Sequence, residues 1–309
     1  MRWQDAVAGL MLVSGSAAMA QSERVIPVPG FADFLAVDGA TVWATNKGRV
    51  EQWSLDGKRA TVAMAHPCGA MAIDGDTLWV ADCQARALTR IDTRAASIVA
   101  TIQTGIASPD GELNVVTGAG SIWVASDAGG GVARVDPATN KVVATIPVTA
   151  GTSYLAFGFG ALWSVSGPAH RLQRIDPATN KVTHTVELGR QPGFLAAGEG
   201  AVWVQEQGDG TVARIDPTTA KVTARIKVGA RLAYGDIDTG AGKVWLRTTE
   251  DQTFAVIDAN TLAIDARVGK PVGSGAIRYT PDGVWTSAHD VHTLSWWTGG
   301  VAPATPSKP

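Results

Sequence analysis

Residues 118–146 read GAGSIWVASDAGGGVARVDPATNKVVATI, and the run returns as ALWSVSGPAHRLQRIDPATNKVTHTV at 161–186 and as AVWVQEQGDGTVARIDPTTAKVTARI at 201–226. Each copy carries a short apolar strand around a Trp, a polar loop, a strand ending in Asp, a tight turn, and an alternating strand. In Asp176-Pro177-Ala178-Thr179-Asn180, Pro fixes φ at the second turn position and Asp can accept bonds from the turn amides. A further short strand such as Phe194-Leu195-Ala196 precedes each Trp run, joined to it by a turn such as Gly198-Glu199-Gly200. The unit is therefore four strands long.

Outward from these copies, a Trp after an aliphatic residue recurs at Trp43, Trp79, Trp123, Trp163, Trp203, Trp245 and Trp285, at spacings of 36 to 44 residues. A period near 40 with short strands belongs to propeller blades; helical repeats need an i, i+3, i+4 apolar pattern that is absent. A chain of 309 residues with 35 Gly, 11 Trp and 17% charged residues fits the same all-β reading. Seven four-stranded units cannot bury both faces alone, so they stack around an axis with the Trp filling the wedge between sheets. The expected fold is a seven-bladed β-propeller over residues 21–297. The seventh unit has a Trp strand at 283–288 and a third strand at 291–297 but no fourth. Residues 23–28 supply it, closing the ring and removing open edges. Pro27 is tolerated there because an outermost strand leaves one side unpaired.

Residues 1–20 combine Arg2, an apolar run from Ala6 to Val13 and Ala18-Met19-Ala20, the pattern of a cleaved secretory leader rather than of a membrane anchor. The mature chain is then expected to be periplasmic or secreted, without a membrane span, and monomeric. Lys plus Arg total 26 against 28 acids, a formal charge of −2, so no basic footprint invites nucleic acid. The Gly-, Pro-, Ala- and Ser-rich segment 298–309 is expected to be disordered. Cys68 and Cys83 fall in the same blade and on the same face, and two Cys in an exported chain favour a disulfide. The rival reading is a reactive or metal-binding pair beside His66.

The repeated x-W-V strand together with ARIDPATNKV and RIDPTTAKV resembles the YVTN-type, virginiamycin-B-lyase-like seven-bladed β-propellers, over nearly all of residues 23–297. The resemblance implies the fold strongly. It also implies, for the lyase branch, chemistry through His and Glu side chains with a divalent metal in a cavity on one face. The lyase repeats read W-F-T-E in the Trp strand. Here the strands read Trp79-Val80-Ala81-Asp82, Trp163-Ser164-Val165-Ser166 and Trp203-Val204-Gln205-Glu206, so only Glu206 stands where that Glu would be. No catalytic set carries over.

Propeller topology places the outer-to-inner connections and the loops after each Trp strand on one face, where departures from the repeat converge. That face gathers His66, Cys68, Asp82, Asp110, Glu112, Tyr154, His170, Arg190, Glu250 and Asp290. The sharpest departures lie on blades 5 to 7: Glu206, Arg231, Tyr234, Asp236, Arg247, Arg278 and His289. Paired Arg and carboxylate groups could hold an anionic or hydroxylated ligand; a structural ion-pair network is the alternative. His66, His170 and His289 lack the tight spacing of a zinc site, so neither a metal nor another cofactor is expected. The Gly-x-Gly fragments at 118–120, 158–160 and 240–242 lack a third Gly and a helix, and read as hairpin turns rather than dinucleotide loops. Two functions fit: an exported binding scaffold holding a protein, peptide or small ligand around the channel, or a metal-assisted lyase or hydrolase using His289 or His170 with Glu206.

Overall fold

The computed structural model describes residues 22–106, 112–125, 128–232, 235–248 and 251–298. The expected leader, the residues after Thr298, Asp110, Glu250 and the site candidate Tyr234 lie outside the described residues. The described chain forms seven four-stranded antiparallel sheets. Blade 3 is typical, with Val115–Gly118, Ser121–Ala125, Gly131–Asp136 and Lys141–Pro147 paired in that order. The first strands of successive blades contact one another all the way round, the seventh against the first, so they form the inner wall of a closed ring.

The seven repeat Trp residues are buried to 2% exposure or less and sit between neighbouring sheets. In blades 3 to 6 the indole N–H donates to the carbonyl of the Gly that ends the inner strand, as Trp123 Nε1 does to Gly118 at 2.9 Å and Trp203 Nε1 to Gly198 at 3.0 Å. This satisfies the one polar atom of a large buried side chain. The Arg of the R-x-D motif lies over the Trp face, with Arg134 at 4.8 Å from the Trp123 ring and Arg214 at 5.7 Å from Trp203.

The turn motif has two functions in the structure. Within a blade, Asp136 accepts from the Ala138 N–H at 2.9 Å and the Thr139 hydroxyl at 2.7 Å. Between blades, Arg134 Nη1 donates to the Pro177 carbonyl at 2.6 Å and to Asn180 Oδ1 at 2.8 Å, and Arg90 makes the same pair of bonds to Pro137 and Asn140. Asn140 and Asn180 both stand at φ 56°, a left-handed conformation that Asn adopts more readily than most residues. The DPATN turn is thus both a local hairpin and a docking point for the preceding blade.

Closure follows the expected route. Ser22–Pro27 is the outer strand of the blade formed by Ile277–Thr280, Gly283–Ala288 and Thr293–Thr298, in register from Ser22 opposite Thr298 to Pro27 opposite Thr293. The N-terminal strand thus spans Ser22–Pro27 against the expected 23–28, and its partner spans Thr293–Thr298 against the expected 291–297. Cys68 and Cys83 are disulfide-bonded, tying the start of the blade 2 inner strand to the end of its Trp strand. The bridge closes a span of 15 residues, which contributes roughly 3 kcal/mol in the chain-entropy model. Among the described residues no helix is long and apolar enough to cross a membrane.

Candidate functional site

Every blade delivers one side chain to the channel from the same register position, nine residues before its Trp: Phe34, Ala70, Asn114, Tyr154, Phe194, Asp236 and Ala276. This position lies just before the inner strand in blades 1, 3, 6 and 7 and within its first four residues in blades 2, 4 and 5, and in every blade it lines the axial space. Phe194 reaches both Tyr154, with ring centroids 4.1 Å apart, and Phe34 at 6.1 Å. Blades 1, 4 and 5 thereby place three aromatic rings together in the channel.

Above these rings the outer-to-inner connections and the loops after the Trp strands enclose a cavity of about 750 Å³. Its wall includes Asp33, Glu112, Asp236 and Asp290, together with Ser274, His289 and the three aromatic rings. Among the described residues no Lys or Arg lines it. A smaller lobe of about 450 Å³ shares Asp33, Phe34 and Glu112 and continues toward Lys47, His66 and Cys68. A separate space of about 290 Å³ lies deeper in the channel, bounded by Phe194, Asp236, Asp238 and Arg278.

The carboxylates differ in how they are satisfied. Asp236, 5% exposed, is ion-paired with Arg278 and accepts from the Ile237 and Ile277 N–H groups at 2.8 and 3.3 Å. Asp290 accepts from the Ser274 N–H at 2.7 Å. Among the described residues Glu112 receives only the Tyr154 hydroxyl, at 3.3 Å. Burial raises Glu112 from 4.5 to about 7, with Asp236 adding to the rise and the Tyr154 bond opposing it. Asp33 is held well above the usual carboxylate range by burial and by the charges of Glu112, Asp236 and Asp290. Tyr154 is pushed well up by burial and by Glu112.

These shifts carry a stability consequence. Glu112 binds its proton more tightly folded than unfolded, so the stability linked to it is complete below about pH 4.5 and is lost as pH rises through about 7. Glu112→Gln, which keeps an acceptor for Tyr154, is expected to raise stability at pH 8 by about 2–3 kcal/mol and to change it little at pH 4. Urea unfolding at the two pH values measures this; equal effects at both would refute the shift.

His289 stacks on Phe31 with centroids 4.0 Å apart, and its Nε2 lies 2.7 Å from Ser274 Oγ. Its Nδ1 is buried with no hydrogen-bond partner. Burial, aided by Arg247, lowers its pKa against the pull of Asp290.

Of the residues expected to bind ligand, Asp236 and His289 line the cavity and Arg278 supports Asp236 from below. Arg231 lies instead beside His170 in a neighbouring depression, exposed at the rim. Glu206 and Arg247 are turned into the protein. Glu206, wholly buried, accepts from the Gly189 N–H at 2.7 Å and Thr211 Oγ1 at 2.7 Å and pairs with Arg225 at 3.0 Å. Arg247, 1% exposed, donates to the carbonyls of Thr248, Thr253, Val272, Gly273 and Ser287. It pins the connection between blades 6 and 7, and burial lowers its pKa to about 10. His289, His170 and Glu206 therefore do not converge as an acid-base set. Glu112, Tyr154 and Asp290 were expected on this face but outside the sharpest subset, whereas Asp33, Phe34, Phe194 and Ser274 carry no motif that marks them.

The arrangement defines a seven-bladed propeller with an acidic, aromatic-floored cavity on the axis. A family model described as "Repeat of unknown function (DUF6923)" matches residues 86–209. No curated protein matches the chain. Among solved structures the chain is similar to virginiamycin B lyase from Staphylococcus aureus, at 19% identity and a TM-score of 0.78, covering 90% of this chain and 99% of that one. A catalytically inactive variant of that lyase with quinupristin matches at 18% identity and a TM-score of 0.77, covering 90% and 99%. Hydrazine synthase from Kuenenia stuttgartiensis matches at 13% and 0.73, covering 92% and 98%. At these identities the likeness establishes the shared fold, and the fold hosts unrelated chemistries.

The divalent metal implied by the lyase resemblance does not fit the described residues. Among the described residues no group of three or more His, Cys, Asp or Glu is placed to hold an ion. His289 Nε2 is engaged by Ser274, and Glu206 by Arg225, Thr211 and Gly189.

Proposed function

We propose that the protein is an exported, noncatalytic binding scaffold that holds a small ligand, or a side chain of a peptide or protein, in the axial cavity of its loop face. The observation that carries this reading is the convergence of connections from blades 1, 3, 4, 5, 6 and 7 on one cavity of about 750 Å³. That volume falls in the range of small-molecule sites, and the lining combines apolar rings with a few polar groups. The Cys68–Cys83 bridge supports an oxidising compartment.

A catalytic reading has one observation in its favour. Ser274 Oγ and His289 Nε2, 2.7 Å apart, have the spacing of a nucleophile and its base. Two features weigh against it. His289 Nδ1 has no acid to orient it, and surrounding carboxylates oppose the negative charge that develops in acyl transfer. Incubation with quinupristin, followed by chromatography, tests the point. Unchanged compound is expected; a new species, lost in His289→Ala, would overturn the noncatalytic reading.

A further inference from the structure

We propose that the ligand of this cavity is an organic cation, an ammonium or guanidinium group attached to an apolar or aromatic body. The inference rests on the binding reading above and names the chemistry it selects.

Three features lead there. The first is charge. Asp33, Glu112, Asp236 and Asp290 line the cavity; among the described residues Asp236 alone of the four is ion-paired, with Arg278, and Asp290 feels the charge of the buried Arg247. Among the described residues Asp33 has no side-chain hydrogen-bond partner, so its oxygens are open to whatever enters the cavity it lines. Asp33 and Glu112, partly buried and with no cation paired to them among the described residues, are costly to ionise, and one entering positive charge relieves both at once.

The second is the floor. Phe34, Tyr154 and Phe194 present ring faces and edges within one contact cluster, directly beside Asp33 and Glu112. Aromatic faces attract organic cations through the ring quadrupole and cover their apolar bodies, and they offer no lone pairs to a metal ion. With no three-ligand group among the described residues, the lining suits a bulky, weakly hydrated cation better than a divalent metal. An anion would meet carboxylates on every side, and Lys47 and His66 lie out in the adjoining lobe rather than in the cavity.

The third is the raised proton affinity of Asp33 and Glu112, which marks the same deficit of positive charge. The groups facing them are Asp236, Asp290, Tyr154 and His289, with Arg278 behind Asp236 and with Lys47 and His66 across the adjoining lobe. A bound cation draws both acids toward ionisation, so binding strengthens between pH 6 and pH 8.

The test uses four probes of one shape: benzylamine, benzyltrimethylammonium, benzyl alcohol and phenylacetate, titrated by calorimetry at pH 8. Both cations are expected to bind at least tenfold more tightly than benzyl alcohol, and phenylacetate not at all. The double variant Asp33→Asn/Glu112→Gln should lose at least tenfold for the cations and nothing for the alcohol. Phe194→Ala should weaken cations and alcohol alike. Intact folding of each variant is verified by its cooperative melt. Benzyl alcohol binding as tightly as benzylamine, with both lost in Phe194→Ala, would refute the cation while leaving the binding cavity in place. Displacement of benzylamine by millimolar Mg²⁺ or Ca²⁺ would reassign the site to a metal. If none of the four probes binds, the cavity is not a ligand site and both readings fall.

Discussion

A chain lacking residues 22–27 is expected to lose cooperative thermal unfolding and to aggregate. Ser22–Pro27 is the outer strand of the last blade, and removing it leaves Thr293–Thr298 with an unpaired edge that carries Trp296 and Trp297. The strand also brings Ile26, 7% exposed, and the adjoining Val28, fully buried, against Leu35, Trp285 and Leu294. Burying each such side chain stabilises by about 1.5–3 kcal/mol. Glu23 accepts from the Ser295 hydroxyl at 2.7 Å and would be lost with the strand. The larger effect is topological. The strand is joined in sequence to blade 1 and in hydrogen bonding to blade 7, so it is the link that holds the ring shut. Calorimetry and size-exclusion chromatography measure the outcome. Melting of the truncated chain as one sharp, reversible transition at the temperature of the longer chain would show that closure lies elsewhere.

That strand was legible in sequence because a propeller leaves one strand unaccounted for when its last repeat is short. The repeat Trp residues and the DPATN turns were legible for a similar reason: their chemistry is local, a Pro-set φ, an Asp accepting turn amides, a Trp between Gly-rich turns. What the Arg of one blade does to the turn of the next was not legible, because the contact from Arg134 to Pro177 and Asn180 spans more than 40 residues and exists only once the blades stack.

The site was half legible for a physical reason. Charge where the repeat is polar or small singles out Glu206 and Arg247 at the ends of Trp strands. Those strands are covered on both faces by neighbouring blades, and Ala201–Glu206 is buried at every position. The alternation that normally tells inward from outward is therefore silent there, and a charge at the strand end is as free to turn inward as outward. Glu206 turned toward Arg225, and Arg247 toward a ring of carbonyls. The informative register was the one nine residues ahead of each Trp, where Phe34, Tyr154, Phe194 and Asp236 stand. Two Phe, a Tyr and an Asp against two Ala and an Asn is a visible departure once the blades are aligned, although Phe in a strand reads first as core.

Trp203→Ala is expected to cost about 3–5 kcal/mol, the range for emptying a fully buried aromatic site. Trp203 has no exposed surface and packs in a cluster drawn from two blades, with Val212 and Ile226 of blade 5 against Ile237, Val244 and Leu246 of blade 6. Truncation leaves the Gly198 carbonyl without its indole donor and removes the ring under Arg214. The sheets on either side are held by their own hydrogen bonds and by the ring, so they collapse into the void only in part. For a domain of this size each kcal/mol lowers the melting temperature by roughly 2–4 °C, which gives a fall of about 10 °C. Benzylamine affinity should stay within twofold of the parent at a temperature where both are folded, because Trp203 lies in the wedge between blades and does not line the cavity. Phe194→Ala, only nine residues away in sequence, should do the opposite, weakening the probe with a smaller loss of stability. A Trp203→Ala protein within 1 kcal/mol of the parent would mean that the blades close up freely around the gap, and that the repeat Trp is not what sets their spacing.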